Sequence, residues 1–347
     1  MFEANYKPAG KAGYQERFDN WKTAIGLQAV DNLTPSEHLI QLAQEHIEGR
    51  KTIDEVEKLA EGYYQDADKR KSAETIRQAE ADLVSARIAK FLETKTFTLT
   101  ENSLKVVHKR LFAGFDDYSP GKYRTIDIVK SEWVLDGDTV QYGHWEMLED
   151  EIALLIRQEQ SFDYSRITKE GRVNHLVDFT SKLWVLHPFL EGNTRTVAIL
   201  IVKYLRSLGF DIDNQPFEKD SWYFRNALVR ANYRNAAIGI AAEDTHITRF
   251  FRYLLLNEKS EFKNRTVHIY WEKESSDPIN DPINDPISSI AKLVLQEIVT
   301  NPHITYDELA AAVEKSRATV KRAIGELKEA NLIVRVGSRK DGHWKTL

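Results

Sequence analysis

The 347-residue chain has no cysteine. That excludes a disulfide framework, a thiol nucleophile and a cysteine-ligated zinc, and it fits a reducing compartment. Charge of one sign is barely in excess, since 48 basic residues against 53 acidic ones leave a formal net charge of −5. No general affinity for polyanions follows, so any nucleic-acid contact has to be local. The N-terminal residues hold no apolar signal core, and no stretch approaches the roughly 18 uninterrupted apolar residues of a membrane span. A soluble, cytoplasmic protein without membrane contact is expected, long enough for one large domain and one small one.

What the chain does contain is mostly helical pattern. An N-terminal arm carries a short helix around Gln15 to Ile25. Thr34-Pro35 and Thr52 resemble N-cap sites, with Glu37 and Glu55 three residues on as capping-box partners. Residues 69–93 place Ile76, Leu83, Ile88 and Leu92 at helical spacing, which predicts a long surface-packed helix with its charged remainder in solvent. Further helices are predicted over 100–115, 146–158, 173–186, 197–208, 222–235 and 245–256. Among them, Thr125 to Val129 and Trp133 to Tyr142 alternate as strands around an Asp136-Gly137 turn, which predicts a β-hairpin.

Residues 277–287 repeat Asp-Pro-Ile, and each proline removes an amide donor and pushes its predecessor out of the α region. This is a stiff linker and a domain boundary. Beyond it, three helical stripes and two short strands around residues 337–342 make a winged-helix arrangement. Residues 288–347 hold ten Lys or Arg against seven Asp or Glu. Arg317, Lys321 and Arg322 on the third helix, with Arg339 and Lys340 at the hairpin tip, suit phosphate contacts. Double-stranded DNA is therefore one expected partner, and protein docking or dimerisation is the alternative use of such a module.

The chemistry concentrates in residues 187–196, His-Pro-Phe-Leu-Glu-Gly-Asn-Thr-Arg-Thr. Pro188 disfavours helix at His187 and ends the preceding helix there, leaving an imidazole of ordinary pKa near 6.5 on a loop. Glu191 is a hard oxygen donor suited to Mg²⁺. Gly192 and Asn193 tolerate left-handed backbone at the start of an apolar helix, where free N–H groups favour an anion. Arg195 offers a planar fork of donors for phosphate oxygens. Each residue alone is ordinary in a helix-connecting turn; their order within nine positions between two apolar helices points to a phosphate site.

This stretch resembles the signature of the Fic family, H-x-F-x-[D/E]-G-N-G-R-x-x-R. The likeness extends to Pro120-Gly121-Lys122-Tyr123-Arg124 before it and to Trp222 to Tyr233 after it, in all about residues 50–270. The resemblance implies a mainly α fold: a Fic-type helical bundle with a β-hairpin flap, followed by a small α+β winged-helix domain. The expected division is 1–95 as helices packing on the core, 96–270 as the Fic domain, 271–287 as linker and 288–347 as winged helix. It also implies transfer of AMP from Mg-ATP to a hydroxyl side chain of a protein target, the chain itself included, and a homodimer.

Carried over residue by residue, the resemblance makes His187 the general base, with Arg195 as the other catalytic group facing the β- and γ-phosphates. Phe189 anchors the loop, and Glu191 holds Mg²⁺. Gly192, Asn193, Thr194 and Arg195 bind ATP, with Asn232 and Tyr233 at the adenine. Ile126, Ile128, Val129 and Lys130 belong to the flap that docks the target backbone. Two departures stand out: Thr194 replaces the second glycine, bringing a hydroxyl close to the phosphates, and Ala198 replaces the final arginine. The family's inhibitory motif, Ser or Thr followed four residues later by Glu, is absent. Glu80-Ala81 is the nearest relic, with Ile76 in place of the hydroxyl. Without the final arginine such a glutamate has nothing to grip, so inhibition through Glu80 is expected to be weak or absent. Two other readings stand beside adenylyl transfer. One is a DNA-binding regulator whose Fic domain senses nucleotide or has decayed; the other is the same fold moving UMP, phosphate or phosphocholine, or removing AMP.

Overall fold

The computed structural model describes residues 13–65, 73–94, 96–210, 212, 215–270, 289–313, 317–329, 333–336 and 343–346. The chain divides into two compact units, Met1–Trp271 and Glu272–Leu347. The predicted linker at 277–287 lies outside the described residues.

In the first unit the described helices are α1 (Tyr14–Gly26), α2 (Glu37–Ile47), α3 (Ile53–Tyr63), α4 (Ala73–Glu93), α5 (Ser103–Leu111) and α6 (Leu148–Gln160). They continue with α7 (Lys169–Leu186), α8 (Asn193–Ser207), α9 (Gln215–Lys219), α10 (Ser221–Asn232) and α11 (Thr245–Leu256). None of the described helices is long and apolar enough to cross a membrane. The organising element is α8, buried on every side from Asn193 to Leu205. Its middle, Val197 to Val202, is apolar on every side and has to lie in a core, and α8 is enclosed by α4, α5 and α7.

Helix α4 departs from the sequence expectation. Instead of lying at the surface with a solvated charged face, every residue from Glu80 to Ala89 is buried. Its charges are paired inside: Asp82 accepts from the Ser36 hydroxyl at 2.5 Å and from the Tyr64 hydroxyl at 2.6 Å, and Arg87 meets Glu57 at 3.2 Å and Glu61 at 3.0 Å. Buried charges are tolerated when partnered, and those partners come from α2 and α3, which packing alone brings together. The same Asp82 fixes the start of α2. Ser36, not Thr34, is the N-cap, its hydroxyl accepting from the Leu39 N–H. The capping box of Thr52 and Glu55 forms as expected.

The segment 125–142 reverses on itself at Asp136 and Gly137, both with positive φ (56° and 89°), but it builds no strand ladder among the described residues. Glu132 donates its N–H to the Asp138 carbonyl at 2.9 Å, and a 3₁₀ turn at Trp133–Leu135 follows. Glu132, Val134 and Leu135 all point inward. A strand would bury alternate residues only, so the core takes the turn in place of the predicted pleat.

In the second unit α12 (Ser289–Thr300), α13 (Tyr306–Ala312) and α14 (Arg317–Glu329) precede β1 (Ile333–Val336) and β2 (His343–Thr346). The strands pair antiparallel with Arg335 opposite Trp344. Val294, Ile298, Leu309, Val320, Ile324, Leu327 and Trp344 form its core. Leu293 of α12 faces solvent, 48% exposed.

Candidate active site

Helix α7 stops at Leu186, and His187 turns left-handed with φ 46° before Pro188. Its imidazole is 4% exposed. It lies 4.4 Å from the Tyr142 ring and 5.1 Å from the Trp184 ring, centroid to centroid. Nδ1 is 3.3 Å from the Trp184 carbonyl oxygen, which only accepts, so Nδ1 carries the hydrogen and Nε2 holds the lone pair. Burial, and then the charges of Lys130 and Arg225, hold the imidazole pKa well below its usual value. The ring is thus a neutral base of one tautomer, where the sequence alone predicts a half-titrated group on an open loop.

The loop is held from both sides. Buried Arg124 donates from Nε to the His187 carbonyl at 2.9 Å and from Nη2 to the Leu186 carbonyl at 3.2 Å. Its own N–H reaches the Pro188 carbonyl at 2.8 Å. Phe189 is fully buried and stacks on His108 at 3.8 Å with a 9° interplanar angle. His108 accepts the Gly121 N–H at Nδ1 (2.9 Å), so its Nε2–H donates to the Glu191 carbonyl at 3.0 Å. Sequence reasoning gave neither Arg124 nor His108 a role; the X-Pro-Gly-Lys-Tyr-Arg likeness was the available signal.

At the start of α8, Gly192 has φ 73°. Asn193 closes the loop on Phe189, its Oδ1 accepting the Phe189 N–H at 2.9 Å and its Nδ2 donating to the Phe189 carbonyl at 2.7 Å. Thr194 does not bring its hydroxyl toward a phosphate site as expected. The Oγ1 faces inward and accepts the Trp184 indole N–H at 2.9 Å. The replacement of glycine therefore braces α7 against α8 on the side of His187.

Glu191 is exposed, and its carboxylate meets Lys130 of the 125–142 segment at 3.0 Å. Ile126 and Val129 of that segment are exposed, at 58% and 80%; Ile128 is half-buried. Arg195 is 1% exposed and engaged at every nitrogen: Nη1 to Gln28 at 3.0 Å, Nη2 to Glu80 at 2.6 Å and Nε to Asp31 at 2.7 Å. The second Glu80 oxygen accepts the Tyr118 hydroxyl at 2.7 Å. The expectation that Glu80 has nothing to grip is overturned: Ala198 lies fully buried in α8, and Glu80 grips Arg195 in its stead.

A cavity of about 440 Å³ opens beside these groups, its walls including Asp31, Arg77, Glu80, Tyr118, Glu191, Arg195, Trp222 and Arg225. Three basic and three acidic side chains face it. His187 is not on its wall, and neither are Asn232 and Tyr233. Asn232 donates to the Ser181 hydroxyl at 2.9 Å, and the Tyr233 hydroxyl holds Asp138 at the tip of the 125–142 segment at 2.6 Å. On the second unit Arg317 and Lys321 are exposed, Arg317 pairing with Asp307 at 2.9 Å. The Arg322 side chain and both Arg339 and Lys340 lie outside the described residues.

Fold and site together define a helical domain that sets a neutral imidazole, a carboxylate and a guanidinium around one helix N-terminus. A family model described as Fic/DOC family matches residues 98–205, and one described as winged helix-turn-helix DNA-binding matches residues 287–334. Residues 98–205 are thus a Fic/DOC domain, with a winged helix C-terminal to it. A curated relative, protein adenylyltransferase VbhT of Bartonella schoenbuchensis, is 26% identical over 148 residues, 42% of this chain and 29% of that protein. The match spans less than a third of the relative's length. The crystal structure of a Fic family protein from Desulfovibrio desulfuricans G20 is similar over 96% of this chain and 88% of that one, at 14% identity and a TM-score of 0.43.

Proposed function

We propose that this Fic domain is a protein adenylyltransferase, moving AMP from Mg-ATP to a hydroxyl side chain of a protein. The observation that carries the reading is the contact of His187 Nδ1 with the Trp184 carbonyl oxygen at 3.3 Å. With Nδ1–H anchored on the Trp184 carbonyl, Nε2 is the bare nitrogen of a base four residues from Glu191, at the foot of α8. That nitrogen takes the proton of the target hydroxyl as its oxygen bonds to the α-phosphorus. The bond from the α-phosphorus to the bridging oxygen breaks, and pyrophosphate leaves. Free N–H groups at the start of α8, and Arg195 once Glu80 releases it, offset the charge on the phosphates.

The donor set fits a magnesium ion that arrives with the nucleotide. Glu191 is one hard, exposed carboxylate, and no cluster of three ligating side chains exists among the described residues. Mg²⁺ commonly takes one or two protein carboxylates and leaves its other positions to water and phosphate. Bound there on Glu191, the ion would supply charge neutralisation for the phosphates.

The test is incubation of the purified chain with Mg²⁺ and ATP labelled separately at the α- and γ-phosphates, beside His187→Ala. Label from the α position on the protein, absent in the variant, is the expected result. Label from γ would mean phosphate transfer, and label from neither would favour a regulatory role.

A second reading, compatible with the first, is DNA binding through residues 288–347. It is favoured by the winged helix-turn-helix match at 287–334. Arg317 and Lys321 sit four apart on α14, on one exposed face. Arg322, Arg339 and Lys340 complete the proposed contact set. A gel shift with double-stranded DNA that is lost on joint replacement of Arg317 and Lys321 by alanine is expected; no shift at low salt would remove the reading.

A further inference from the structure

We infer that Arg225 of α10 grips the outer phosphates of the nucleotide, taking the part that Ala198 cannot. The inference rests on the adenylyl-transfer reading for the nucleotide, though not for the phosphate contact itself. Ala198 is fully buried in the apolar interior of α8, and a methyl group offers a phosphate nothing. Arg225 comes from a different helix and faces the cavity that Glu191 and Arg195 share. Its guanidinium lies over the Trp222 ring, 5.1 Å from the ring centroid. Two nitrogens meet the two carboxylate oxygens of Glu132, at 2.7 Å and 3.0 Å.

This geometry leaves Arg225 preorganised and still able to bind. Glu132 is 1% exposed and is itself fixed by the Tyr142 hydroxyl at 2.9 Å. A guanidinium carries five N–H donors; Glu132 accepts a hydrogen bond from Nη2 and forms a close ion pair with Nη1. The Nε–H and the second hydrogen of each Nη remain for an anion. The Trp222 indole N–H, on the same cavity wall, is buried and has no hydrogen-bond partner among the described residues. A buried donor without a partner is costly, and an anion in the cavity would satisfy it only with a movement of the ring, because the nitrogen has almost no surface open to the cavity. The site therefore offers Arg195 and Arg225 from different helices, with Arg77 beside them and Glu191, Glu80 and Asp31 as the carboxylates nearby. That arrangement matches a polyphosphate carrying a divalent cation and does not match a single neutral ligand.

The experiment is calorimetric binding of magnesium pyrophosphate and, separately, of AMP to the full chain as wild type, Arg225→Gln and Arg225→Lys. Alongside it, transfer of label from α-labelled ATP is measured. Arg225→Gln is expected to weaken pyrophosphate at least about tenfold, the order of one lost charge-assisted contact, and to leave AMP within about twofold. Arg225→Lys should keep part of the affinity. Because Arg225→Gln leaves the Glu132 carboxylate buried without its cation, the double variant with Glu132→Gln serves as the folding control and should show the same selective loss. Unchanged pyrophosphate binding overturns the inference, as does a parallel fall in AMP binding in both variants, which would mark a purely structural residue. A wild type that binds no pyrophosphate overturns it as well. Pyrophosphate binding that depends on Arg225 in a chain that transfers no α-label would remove the adenylyl-transfer reading alone. Label transfer with pyrophosphate binding indifferent to Arg225 would remove only the inference.

Discussion

Glu80→Gln raises the rate of α-label transfer by roughly 10- to 150-fold, the equivalent of the ~1.5–3 kcal/mol that a hydrogen bond to a charged group is worth. Arg195 is the motif's remaining arginine, and its three guanidinium nitrogens are all engaged. Each Nη keeps a second hydrogen, but with the side chain 1% exposed a phosphate gains full contact only by displacing one of these partners. Of the incumbents, Glu80 makes the shortest contact, 2.6 Å, and brings a negative charge to the cavity wall where the phosphates would lie. The apparent affinity for the nucleotide is reduced by the fraction of chains in which Arg195 is bound by Glu80. The gain should therefore appear in kcat/KM for ATP more than in kcat. Glutamine keeps the shape and can still accept from Tyr118, and Asp31 at 2.7 Å continues to neutralise the arginine. The chain should therefore stay folded, as circular dichroism would check. A rate equal to wild type would mean that Glu80 is no brake and that Asp31 or Gln28 holds the arginine.

Gly192→Ala is expected to destabilise the first unit by about 2–5 kcal/mol, combining ~1–2 kcal/mol for a left-handed alanine with ~1–3 kcal/mol for overpacking. The residue sits at φ 73°, and a Cβ there would lie 2.2 Å from Cζ of Phe112. That ring cannot withdraw. It is fully buried, and the Arg195 guanidinium lies over it at 4.9 Å. Yielding would shift the start of α8, and with it Glu191, Asn193 and Arg195 together. Chemical denaturation should show a lower midpoint, and label transfer should fall even where the variant remains folded. A variant with wild-type midpoint and wild-type transfer would contradict the geometry.

Much of the fold was legible, and for local reasons. The Thr52-Glu55 capping box and the end of α7 before Pro188 are set by residues at most four apart, and so is the left-handed turn at Asp136-Gly137. Chain spacing alone decides such contacts. The misreadings have a common cause. Residues 80–89 looked amphipathic because Glu80, Asp82 and Arg87 are charged, but Glu80 and Arg87 meet opposite charges and Asp82 meets two hydroxyls, all on other segments. Residues 133–142 alternate like a strand, yet Glu132 is claimed by Arg225 and Tyr142, and the core takes consecutive side chains.

The candidate site divides along the same line. By itself the sequence determined the loop: an imidazole before proline, a carboxylate, a glycine that tolerates a left-handed turn, and an arginine in the first turn of a buried helix. These follow from ten adjacent residues whose spacing is fixed by the backbone. Only the tertiary structure decided what occupies that arginine and what stands in for the missing one. Glu80 lies 115 residues before Arg195 in the chain, and Arg225 arrives on the second helix after α8. Contacts of such separation exist because helix packing creates them, and in this domain that packing turned an apparent relic into the partner of Arg195.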